Sequence, residues 1–245
     1  MSPTSSVACQ NEAGLQRTTA LTLIRWSEPD VEMNLRLDEQ FAQQAGRAGA
    51  RVLRLWWGGS HPTAVLGCGD KPETALNLEE CALRGVGWVK RVTGGGTVLQ
   101  TRGVFNYSYT APDAGSPDLQ RAFEQGTHLV VRALAQLGIE ARHRGTSDVA
   151  VGDRKISGNA QARKWKAILL HGTLLVDIDR ELMEAVLRHP RKEPDYRRGR
   201  AHGDFVVSLR DFGLDVRKAH VEDAFESAAV EIFGHDIIRK SPRGK

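Results

Sequence analysis

Two short segments of the chain carry the residue types that chemistry on a charged substrate needs. The first is Lys90-Arg-Val-Thr-Gly-Gly-Gly-Thr-Val-Leu-Gln100. Gly94, Gly95 and Gly96 present three residues without Cβ atoms, so backbone N–H groups can approach a ligand closely. A loop of that kind can cradle a phosphate or carboxylate. Arg91 and Thr93 add a cation and a hydroxyl beside it, and Asn106, Tyr107 and Ser108 follow in a strand-like run. The bare glycine triplet also admits a plain reading, a flexible turn between two strands. It is not a P-loop, because no Gly-Lys-Ser/Thr follows, and it lacks the G-x-G-x-x-G spacing of a dinucleotide site.

The second segment runs from Asp148 to Gln161. Lys155 lies in a short strand-like run, followed by the tightly turning Ser157-Gly158-Asn159. A lysine held there can neutralise a carboxylate attacking an α-phosphate and then stabilise the oxygen of an acyl-adenylate. Asp148 has two readings. It can hold Mg²⁺ bound to ATP, since hard cations prefer oxygen ligands, or it can be a hairpin carboxylate paired with Arg154 or Lys155. The three cysteines, Cys9, Cys68 and Cys81, are widely spaced and odd in number. Neither a disulfide framework nor a zinc site is indicated, and a reducing cytoplasm is the default setting.

The elements that must position these residues alternate between strand and helix. Ala20–Trp26 and Arg51–Trp57 read as strands. Between them Met33, Leu37, Phe41 and Ala45 mark one face of a helix ended by Gly46. A short apolar run at Thr63–Leu66, a helix near Leu76–Leu83 and a strand at Val86–Val92 follow. A long helix starts at Ser116-Pro117-Asp118, where serine caps and proline fits the first turn. Its stripe is Leu119, Ala122, Phe123, Val130, Ala133, Leu134 and Leu137, ended by Gly138. Ser147–Val151 and Lys155–Ile156 flank Gly152-Asp153 as a hairpin. Ala167–Val176 reads as a strand. Val221, Ala224, Phe225, Ala228 and Ile232 mark a late helix. Short turns between successive strands favour a mixed, largely antiparallel α/β (α+β) sheet flanked by helices over a parallel doubly wound one.

The chain has 245 residues, 40% hydrophobic and 26% charged, as in an ordinary soluble globular protein. No run approaches the roughly 20 apolar residues of a membrane helix, so no membrane role is expected. Residues 1–19 read as a disordered leader, without the apolar centre of a secretory signal. The net charge of +4 is small, and much of the excess sits in Arg188–Arg200 and in the basic tail at 235–245. Nucleic acid is therefore not the expected partner. An acidic protein partner suits the same charge.

In order, Arg91-x-Thr93-Gly-Gly-Gly96, Asn106-Tyr-Ser108, Asp148, Gly152-Asp-Arg-Lys155-Ile-Ser-Gly158-Asn-Ala160 and His171-Gly-Thr-Leu-Leu175 resemble the blocks of the lipoate–protein ligase A family, within the biotin/lipoate ligase fold. The resemblance spans Leu21 to Gly234. It implies a catalytic domain over 20–234 that forms lipoyl-AMP (or octanoyl-AMP) from ATP and the acid. The acyl group then passes to a lysine of a lipoyl carrier, an H protein or a 2-oxoacid dehydrogenase lipoyl domain. Lys155 matches the family's catalytic lysine. Arg91, Thr93, Gly94, Gly95, Gly96, His171 and Gly172 match the acyl-binding positions. Thr97, Val98, Leu99, Asn106, Asp148, Lys155, Ser157 and Gly158 match the ATP side, with Asp148 at the Mg²⁺ position. Trp57, Val65 and Leu99 are expected to line a slot for the acyl tail.

The sequence departs from the family at Gln100, where a histidine is usual, and at Ser147, where an asparagine often precedes the aspartate. The well-studied ligases carry a further C-terminal domain. None is expected in this chain, and a separate accessory subunit is an alternative source of its function. The main rival reading is an octanoyltransferase that takes octanoate from acyl carrier protein through a cysteine nucleophile. The stretch Arg142–Ser147 has no cysteine, leaving Cys68 as the candidate, while Cys81 reads as core. A biotin ligase and a non-catalytic binding module are weaker rivals. The segment Arg188–Arg200 is either a solvated loop or a docking site for an acidic carrier.

Overall fold

A computed structural model describes residues 20–115, 119–214, 217–234 and 236–240. The leader, the Ser116-Pro117-Asp118 cap and the last five residues of the tail lie outside them. The strands are β1 Leu21–Arg25, β2 Arg51–Trp57, β3 Thr63–Leu66, β4 Gly87–Lys90, β5 Val98–Gln100, β6 Val104–Pro112, β7 Arg142–Arg144, β8 Asp148–Val151, β9 Arg154–Lys164, β10 Ala167–Leu175 and β11 Ile237–Lys240. The helices are α1 Val31–Ala48, α2 Pro72–Ala75, α3 Leu78–Leu83, α4 Leu119–Gln136, α5 Arg180–Val186, α6 His202–Phe205 and α7 Lys218–Phe233.

Eight strands form the main sheet in the order β11-β1-β2-β6-β10-β9-β8-β7. The β11/β1 and β1/β2 pairs are parallel, and every other pair is antiparallel. This is the mixed, largely antiparallel α/β sheet expected from the short turns. A second sheet, β4-β3-β5, carries the glycine loop between β4 and β5. The strand expected over Val86–Val92 is shorter, because Arg91 leaves it to turn inward. Among the described residues no helix is long and apolar enough to cross a membrane.

One face of the main sheet packs on α4 and α7. Phe105, Tyr107 and Phe225 meet there at ring-centroid distances of 4.7 and 5.7 Å. Leu129, Val130, Ala133 and Leu134 of α4 are buried against the same cluster. Burying each such leucine contributes about 1.5–3 kcal/mol.

The other face carries α1, and here two sequence expectations fail. Asp30 caps α1 by accepting from the Met33 amide. The buried face of the helix is Val31, Asn34, Leu35, Asp38, Ala42 and Ala45, whereas Met33 is 49% exposed. Polar Asn34 and Asp38 face inward because they answer a buried arginine. Arg54 of β2 donates to Asp38 Oδ1 at 2.8 Å and to the Asn34 carbonyl at 3.0 Å. Ser108 donates to the same Asp38 oxygen at 2.6 Å, and Trp56 donates to Oδ2 at 3.2 Å. The helix also runs past Gly46 to Ala48, and Gly49 caps it at φ 71°. Gly46 is needed for packing, since a Cβ there would lie 1.7 Å from the Trp165 carbonyl oxygen.

After Gly234 the chain adds β11 to the edge of the sheet beside β1. Arg25 of β1 pairs with Asp223 at 2.7 Å and with Glu226, and Glu226 also pairs with Arg239 of β11. These ion pairs tie α7 to that edge.

Candidate active site

The glycine loop is built around Arg91. This side chain is 7% exposed, and three of its nitrogens are committed. Nε donates to Thr93 Oγ1 at 2.9 Å and Nη1 to the Val65 carbonyl at 3.1 Å. Nη2 donates to the carbonyls of Gly94 and Gly96 at 2.6 and 2.9 Å. Arg91 therefore shapes the loop from inside, so that the carbonyls turn inward toward it. Burial lowers its pKa to about 10, partly offset by Asp70 and Cys68 nearby, and it stays charged at neutral pH. Gly95 has φ 85°. Gly67 packs so closely below that a Cβ there would lie 1.9 Å from the Gly95 oxygen.

Thr93 links this loop to the main sheet. Its Oγ1 lies 2.7 Å from His171 Nε2 of β10. The Thr93 oxygen accepts from Arg91 and also shares a hydrogen bond with the imidazole. Burial, helped by the Arg91 charge, pushes the imidazole down to about 3. His171 is thus neutral at physiological pH.

Lys155 stands on the same face of the sheet. Its Nζ lies 2.7 Å from Asp148 Oδ1 on β8. The pairing of β8 with β9 contains a bulge at Val149/Ala150, so that Ala150 pairs with Lys155 while Asp148 pairs with Gly158. Alternation along a regular strand would put residues 155 and 158 on opposite faces. The bulge brings them to one face, and a Cβ on Gly158 would meet Lys155 Nζ at 2.7 Å. His171 pairs with Ala160, two positions along β9 from Gly158. Asp148, Lys155, Gly158 and His171 therefore share one face of the sheet, and Thr93 packs against it.

Other expected residues sit elsewhere. Ser157 is fully buried, beside Asn159 on the core face of β9. Gly172 also faces that side, where Asn159 accepts from the Tyr107 hydroxyl. A Cβ at Gly172 would lie 2.1 Å from Asn159 Oδ1. Asn106 is held by Gln100, the two amides exchanging hydrogen bonds of 2.7 and 3.0 Å. Gln100 thus joins the small sheet to the large one. Thr97 donates to Asp70 at 2.8 Å. Val98 and Leu99 form β5. Trp57, Val65 and Leu99, expected along the acyl tail, fall in three separate apolar clusters.

Two groups stand out only in three dimensions. Tyr196 donates to Asp148 Oδ2 at 2.9 Å. Arg197 is 4% exposed and lies over the Phe205 ring at 5.0 Å. It is a packing residue, so only Arg198, Arg200 and the Arg188–Lys192 stretch of the basic segment offer charge to a partner. Neither group has a local sequence signal. As for a metal, both Asp148 oxygens are engaged, by Lys155 and Tyr196. No cluster of three or more His, Cys, Asp or Glu side chains able to hold one occurs among the described residues. The donor set does not make a preformed metal site.

Cys81 is buried, and burial raises its thiol pKa. Cys68 is exposed, and its amide donates to the Thr93 carbonyl at 2.9 Å.

A glycine loop built on a buried arginine and an ion-paired lysine thus share one face of a mixed sheet. The fold is shared with solved structures. The bi-partite lipoate protein ligase of Thermoplasma acidophilum, described with its E2 lipoyl domain, superposes with a TM-score of 0.79 at 25% identity, over 91% of this chain and 87% of that one. Residues 30–230 match the lipoyl protein ligase A/B catalytic domain, and the chain belongs to that family. Among curated relatives, lipoate-protein ligase LplJ of Bacillus subtilis is 36% identical over 48% of this chain and 35% of its own length. Octanoyltransferase LipM of Kyrpidia tusciae is 30% identical over 86% of each. The match to a lipoate-protein ligase A homologue of Aeropyrum pernix spans about half, 54%, of that protein.

Proposed function

We propose that this chain activates lipoate, or octanoate, with ATP and transfers the acyl group to a lysine of a lipoyl carrier domain. The observation that carries this reading is Lys155, held at 2.7 Å from Asp148 on the face that also bears Thr93, His171 and the glycine loop. In the first step a carboxylate oxygen of the acid attacks the α-phosphorus of ATP, and pyrophosphate leaves. Lys155 moves from Asp148 to the carboxylate and α-phosphate, where its charge offsets the charge that develops. In the second step the carrier amine attacks the acyl carbon of the mixed anhydride, and AMP departs as leaving group. The neutral His171 holds Thr93 beside the same site. Mg²⁺ enters with the nucleotide as part of the substrate, held by phosphate oxygens and water.

The carrier class is supported by one similar protein, which is described with an E2 lipoyl domain. An H protein presents the same kind of lysine. That relative is bi-partite, which supports an accessory subunit here, and a cytoplasmic setting suits the ATP requirement. A second reading rests on the match to LipM: octanoyl transfer from acyl carrier protein without ATP. Its nucleophile would be Cys68, beside Thr93.

The test is pyrophosphate release by the purified chain with Mg-ATP and lipoate. Release that disappears in Lys155→Ala supports the ligase. An inert chain that forms a thioester from octanoyl-acyl carrier protein, lost in Cys68→Ala, replaces it with the transferase.

A further inference from the structure

The stretch from Pro194 to Val207 crosses the β8–β9 hairpin and fastens to it around Lys155. The Val207 amide donates to the Lys155 carbonyl at 2.8 Å. Arg200 Nη2 donates to the Asp153 carbonyl at 2.7 Å and to the Tyr196 carbonyl at 2.8 Å. The Tyr196 hydroxyl donates to Asp148 Oδ2 at 2.9 Å, while Asp148 Oδ1 faces Lys155.

The Tyr196 ring is itself held. It packs on Phe205 at 5.1 Å, and the Arg144 guanidinium covers it at 4.9 Å. Burial, with the Asp148 charge next, raises the phenol pKa, so it stays a donor. A carboxylate gripped on one oxygen by a fixed donor cannot rotate about its own axis. Its other oxygen then has one position, and so does the ammonium group it attracts.

We propose that Tyr196 is a positioning residue for Lys155, acting through Asp148. The proposal rests on the reading of Lys155 as the adenylation lysine. A lysine must release its counter-ion and reach the reacting oxygens, and an error of about 1 Å in such a placement costs up to about a hundredfold in rate.

Tyr196→Phe keeps the ring and removes the one hydrogen bond. It is expected to lower kcat for acyl-adenylate formation roughly tenfold or more, with KM for ATP and for the acid within about twofold. In an Asp148→Asn background the same change is expected to have no further effect. The third readout needs no activity: NMR relaxation of the Lys155 ε-methylene. Its order is expected to fall in Tyr196→Phe to that of the exposed Lys164. A lysine equally ordered in both proteins overturns the proposal, as does an equal kcat loss in the Asp148→Asn background. Lower thermal stability with wild-type kcat and Lys155 order would make Tyr196 a packing residue and also overturn it. If the wild-type chain forms no acyl-adenylate, the ligase reading fails, and the relaxation arm still decides the role of Tyr196.

Discussion

At the scale of single residues, the site consists of polar groups that fix one another. Thr93 accepts from Arg91 and shares a hydrogen bond with His171. Thr93→Val keeps the shape and strands both neighbours. We expect it to destabilise the fold by about 1–3 kcal/mol, the cost of buried polar groups without partners, measured as a shift in the urea midpoint. His171 gives a pH signature. Its pKa falls from 6.5 in the unfolded chain to about 3 in the folded one. Between these values the unfolded chain binds a proton that the folded chain does not. Stability is therefore lost as pH falls through that window. His171→Gln should flatten the slope, so wild type should lose more stability than the variant on acidification. A constant difference between them would contradict the neutral histidine. Lys155 and Asp148 were legible in the sequence because the hairpin that joins them is local. Tyr196 was not, because it arrives from 48 residues away.

At the scale of elements, polar residues used as packing explain where sequence reading went astray. The apolar positions of α1 pointed to Met33 and Leu37, yet Asn34 and Asp38 are buried to meet Arg54. A hydrophobic pattern cannot show a polar residue whose partner lies on another element. Gly46 looked like a stop signal and proved to be a contact. Gly46→Ala raises helix propensity by up to about 1 kcal/mol, but its methyl would meet the Trp165 carbonyl. We expect net destabilisation of about 1–3 kcal/mol, read as a lower melting temperature. The basic segment divides in the same way. Arg197→Glu should unfold or strongly destabilise the chain, because the side chain is buried. Arg198→Glu should leave the unfolding free energy within about 0.5 kcal/mol of wild type, as surface changes usually do. If Arg198→Glu slows acyl transfer while pyrophosphate release is unchanged, the exposed part of the segment meets the carrier. Equal effects on both steps would remove that role.

At the scale of the whole molecule, the sheet class was legible because short turns between β7, β8, β9 and β10 leave no room for crossover helices. The strand order was not, since β11 returns to the opposite edge beside β1 through contacts distant in sequence. The bulge that brings Lys155 and Gly158 to one face was equally hidden, because register is set between strands and not along them. The family blocks located the glycine loop and the lysine, but not which side of the sheet each residue faces, and Ser157 and Gly172 face the core.

The decisive measurement is the intact mass of a lipoyl carrier domain incubated with this chain, lipoate and Mg-ATP. A parallel reaction holds octanoyl-acyl carrier protein without ATP. A ligase gives a lipoyl mass gain that requires ATP and disappears with Lys155→Ala. A gain only in the reaction without ATP, lost with Cys68→Ala and kept with Lys155→Ala, would contradict the ligase reading.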